Sequence, residues 1–77
     1  MVIVVTLEEA EEQLDCMALH CAVFEIHRRD AINTRRYLGS VVAIAHALAE
    51  SGEDCDFYEL WDWFEKRVRQ HREAMTS

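Results

Sequence analysis

No proline occurs anywhere in the chain, and glycine occurs only at positions 39 and 52. Because these two residues are the strongest local breakers of regular structure, a 77-residue chain so poor in them has few places to turn. Long helices are the expected outcome, and their starts must be read from capping residues.

The first start is Thr6-Leu7-Glu8-Glu9, which fits a capping box: the threonine hydroxyl can accept from the backbone of Glu9, and acids in the first turn suit the helix dipole. Leu7, Ala10, Leu14, Met17, Cys21 and Phe24 then alternate spacings of three and four, the seam of a bundle helix. Leu19, Val23 and Ile26 form a second stripe on nearly the opposite side, so this helix, spanning about 6–29, is expected to be sandwiched between neighbours. Asp30, Asn33 and Thr34 are capping types and mark a turn.

A second helix is expected over about 34–50. Gly39, Ala43 and Ala47 recur every four residues as a ridge without bulk, while Leu38, Val41, Val42, Ile44 and Leu48 supply packing, so this reads as the central core helix. Gly52 is its natural stop. Asp56 caps a third helix over about 56–74, with Phe57, Leu60, Trp61, Phe64, Val68 and Met75 on one face. Trp63 falls outside that stripe, beside Glu59, Arg67 and Gln70. The fold class is therefore all-α, a single domain read as a three-helix up-down-up bundle.

One segment does not fit a helix. Val2, Ile3, Val4 and Val5 are β-branched, which favours an extended arm. Such an arm cannot satisfy its own backbone, so it must lie as a strap across the core, pair with its copy across a twofold axis, or add to a partner's sheet edge. A domain this small removes only roughly 60% of its unfolded surface from water, and here 51% of residues are hydrophobic. Association is the expected remedy: a homodimer with Leu19, Val23, Ile26 or the arm at the contact.

Three cysteines, an odd number, and the lack of a secretory pattern point to reduced thiols in the cytoplasm. The longest uncharged stretch, 37–49, falls short of the roughly 20 residues a spanning helix needs, so no membrane segment is expected. The net charge of −7 is laid out in blocks: −6 over residues 1–27, +3 over 28–49, −7 over 50–65 and +3 over 66–77. In an up-down-up bundle these blocks predict an acidic pole of Glu8, Glu9, Glu11, Glu12, Asp15, Glu53, Asp54, Asp56 and Glu59. Arg28, Arg29, Arg35, Arg36, Lys66, Arg67, Arg69 and Arg72 would form a basic pole.

Catalysis is not indicated: no phosphate loop, paired-carboxylate spacing or nucleophile motif is present, and no cofactor is implied. Cys16 and His20, four apart on a helix, could both touch a metal, with Cys55, His46 or His71 completing a set for a metal- or thiol-dependent sensor. Four arginines between Arg28 and Arg36 raise nucleic-acid binding, which the overall negative charge and the early burial of helix two oppose. Aromatic side chains outside a core face are costly to leave in water, and tryptophan, tyrosine and arginine are the usual interface anchors. Tyr58, Glu59, Trp63, Arg67 and Gln70 are thus the expected contact patch for another protein, whose basic surface the acidic pole would occupy as a nucleic-acid-like decoy. In size and charge the chain resembles compact acidic helical inhibitors made by phages, although no motif identifies a family.

Overall fold

The computed structural model describes residues 6–24, 34–53 and 55–76, and every regular element among them is helical. Helix α1 spans Leu7–Phe24, a short 3-10 turn Thr34–Tyr37 leads into α2 at Leu38–Glu50, and α3 spans Phe57–Thr76. Residues 2–5, 25–33 and 54 lie outside the described set, and with them the extended arm, the end of the expected first helix, Ile26, Arg28, Arg29 and Asp54. None of the described helices is long and apolar enough to cross a membrane.

The helix ends follow the capping chemistry. Thr6 Oγ1 accepts from the backbone N–H of Glu9 at 3.2 Å, and Asp56 Oδ1 accepts from that of Tyr58 at 3.3 Å. At the far end of α2, Glu53 donates to the Leu48 carbonyl at 2.9 Å and Gly52 to the Ala49 carbonyl at 3.1 Å. This closed turn requires a left-handed residue, and Gly52 supplies it with φ of +83°.

Ala10, Leu14, Ala18, Cys21 and Ala22 of α1 are buried with Val41 and Leu48 of α2 and Leu60, Phe64 and Val68 of α3. Around Phe64, the Trp61 and Tyr37 rings each sit 5.6 Å away, centre to centre. Helices α1 and α3 form the principal packed pair, and α2 leans on them with a narrower face.

Several expectations are corrected here. The buried stripe of α1 is shifted: Ala18 and Ala22 are inside, whereas Leu7 and Phe24 are exposed. Phe24, 68% exposed, instead carries the Arg36 guanidinium 5.7 Å above its ring. The second stripe is not sandwiched within the chain, since Leu19 and Val23 remain 43% and 50% exposed.

Helix α2 is peripheral rather than central, because only Val41 and Leu48 are buried on it while Leu38 and Val42 stay exposed. Of its ridge of small residues, Ala47 packs against the core, but Gly39 is not used for close approach: a Cβ added there would meet nothing within 4 Å. The first turn of the expected second helix is 3-10, closed by Tyr37, whose ring seats on Phe64. Where the acidic and basic sets border each other, Asp15 of the first and Arg67 of the second are bonded to each other.

Candidate functional site

Trp63, Arg67 and Gln70 follow one another by four and three residues on α3, which stacks them along one flank of the helix, off the Leu60–Phe64–Val68 stripe. Glu8, Glu11, Glu12 and Asp15 recur by three, one and three on α1 and form a matching row. Packing of the two helices brings the rows face to face. With Lys66 they line one open groove of about 550 Å³.

Arg67 organises its floor. From Arg67, Nε donates to Asp15 Oδ1 at 2.8 Å, Nη2 reaches the same oxygen at 2.7 Å, and Nη1 donates to Gln70 Oε1 at 2.7 Å. Its guanidinium carbon also lies 5.9 Å from the centre of the Trp63 ring. The planar fork thus contacts Asp15, Gln70 and Trp63 at once, which links the flank of α3 to α1.

His71, one turn beyond Arg67, places Nε2 2.7 Å from the same Asp15 oxygen. Hydrogen bonding from His71 is the strongest influence on Asp15 and lowers its pKa. Burial acts the other way, and Arg67 adds to the lowering by hydrogen bond and charge, leaving the carboxyl below its ordinary value.

Lys66 points to Asp62 on its own helix at 3.1 Å. The cations of the groove are therefore engaged. Among the described residues Glu8, Glu11 and Glu12 have no ion-pair partner within 4.0 Å, and the wall of α1 carries the excess negative charge.

Two residue sets expected to lie apart, the aromatic patch and the first acids, thus share a groove. The remaining members do not join it. Tyr58 is exposed with its ring 5.5 Å from that of Phe57, and Glu59 borders a neighbouring hollow of about 180 Å³ with Leu7, Cys55, Leu60 and Trp63. Glu9, Glu53 and Asp56 are exposed and line none of this groove.

Cys16 and His20 are both exposed on α1, while Cys55 stands near Glu59, its Sγ 4.0 Å from Oε2. They are not brought together, and among the described residues no three His, Cys, Asp or Glu side chains gather as a metal ion requires. His71 was missed as a groove-supporting residue. Its place four residues after Arg67 and three after Val68 was the available signal, but its partner Asp15 is 56 residues away in sequence.

No family model, no curated protein and no solved structure matches this chain.

Proposed function

We propose that this chain is a small acidic protein-binding module, an inhibitor or adaptor of the phage type that occupies a basic or nucleic-acid-binding surface of another protein. One observation supports the reading above others: a half-buried tryptophan and a clamped arginine lie in the same groove as three carboxylates that have no ion-pair partner among the described residues. Aromatic and arginine anchors ringed by charge are the usual make-up of a binding patch, and unpaired carboxylates favour a cationic partner.

The same reading takes the three helices as up-down-up, since Leu7 shares a hollow with Cys55 and Leu60 while Asp15, two turns on, meets Arg67. It takes the protein as a cytoplasmic homodimer joined through Leu19 and Val23, supported by the exposure of those two side chains. Neither catalysis nor direct nucleic-acid binding belongs to it.

The test is capture by tagged protein from lysate of the native host, followed by displacement with a short DNA duplex. Capture of a nucleic-acid-binding protein that DNA releases, and its loss in Trp63→Ala with helicity retained, is the expected result. Capture unchanged by Trp63→Ala would remove the groove from the reading.

A further inference from the structure

Resting on that binding role, the groove also limits the shape of what enters it. We propose that its occupant is an amphipathic, lysine- or arginine-bearing α-helix of the partner protein, laid along the seam between α1 and α3.

Charge selects the sign of the occupant. Asp15 is taken by Arg67 and His71 and Lys66 by Asp62, so among the described residues the groove is left with Glu8, Glu11 and Glu12 as uncompensated acids along one wall. A neutral or acidic segment would leave those carboxylates desolvated without a partner, which is costly, whereas a basic one satisfies them.

Backbone chemistry selects the conformation. Both walls are helices, whose main-chain N–H and C=O groups beyond the first turn of α1 are already bonded within α1 and α3. An extended peptide would find no backbone partners there, while a helix brings its own bonds satisfied. The dimensions agree. Glu8 to Asp15 covers two helical turns, about 10 Å, and residues three and four apart on a third helix have the same stagger as the acids. Trp63 offers the half-buried apolar contact that an amphipathic face requires beside its basic residues.

Two synthetic peptides of about 15 residues test this, alike in composition and charge, with lysines and leucines on one helical face. The second carries its residues reordered around a central proline so that it cannot form the helix. Binding is read by tryptophan fluorescence and by calorimetry on the full chain, at low and moderate salt. The helical peptide is expected to bind about tenfold more tightly than the proline peptide, to weaken with salt, and to lose about tenfold in Glu8→Gln/Glu11→Gln/Glu12→Gln.

Equal binding of the two peptides would overturn the helical occupant while leaving the basic-surface reading standing. Binding of neither would overturn both. Should the triple variant fail to fold, the salt series on the unsubstituted protein still decides, because salt-independent binding would exclude the acidic wall as the contact.

Discussion

Asp15 and Arg67, 52 residues apart in sequence, meet at 2.7 Å across the seam between α1 and α3. This contact joins the acidic and basic halves of the charge pattern in one ion pair and fixes the floor of the groove.

Side-chain exposures of 40% for Asp15 and 33% for Arg67 keep the pair in contact with water, so solvent screening limits its worth. A double-mutant cycle with Asp15→Ala and Arg67→Ala is expected to give a coupling of about 0.5–1 kcal/mol in urea unfolding. A coupling indistinguishable from zero would mean that the clamp orders side chains without stabilising the fold.

Acid should weaken the same contact. The Asp15 carboxyl is held below its ordinary value of 3.8, so its contribution is complete above that pH and is lost as pH falls through the lowered value. Unfolding followed from pH 6 down to pH 2 should show a steeper loss of stability in the native sequence than in Asp15→Asn. Parallel curves would assign the acid sensitivity to other carboxylates.

Phe64 is fully buried and touches both Tyr37 and Trp61. Phe64→Ala should cost about 3–5 kcal/mol, most of the stability of a domain of this size, and thermal melting by circular dichroism should show a broad or absent transition.

The two glycines should respond oppositely to alanine. Gly52 has φ of +83°, so Gly52→Ala is strained despite the open space around it and should lose about 1 kcal/mol. Gly39 lies in α2 with nothing near its missing Cβ, so Gly39→Ala should gain about 0.5–1 kcal/mol. Denaturation midpoints of the two variants give the comparison directly.

Leu19 and Val23 provide the test of self-association. Leu19→Glu/Val23→Glu should leave the stability of a single chain within about 0.5 kcal/mol of native, because both residues are exposed there. If two copies join through this face, sedimentation should move from dimer to monomer. A native chain already monomeric at high concentration would dispose of the dimer.

Helix positions were legible because they depend on local chemistry: Thr6, Asp56 and Gly52 announce their ends without reference to the rest of the molecule. Which side of α1 turns inward was less legible. Leu7 and Phe24 have the stronger apolar character, yet Ala18 and Ala22 are buried and those two are not, because burial depends on which neighbours cover a position and not on hydrophobicity alone. The membership of the groove was readable in two halves. Trp63, Arg67 and Gln70 could be grouped by helical spacing, as could Glu8 to Asp15, but their meeting depends on how two distant helices pack, and no periodicity carries that information. Gly39 misled for the related reason that a smooth ridge permits a neighbour without supplying one.

The pairing of α1 with α3 also bears on how the chain is made. Its principal helix pair unites α1 with α3 across the intervening α2, so a growing chain that carries α1 and α2 but not yet α3 lacks Leu60, Phe64 and Val68 to close this core. Cotranslational assembly of this core is thereby deferred until α3 has left the ribosome, and until then the nascent segment presents its leucines and valines to chaperones or to any neighbour that will shield them.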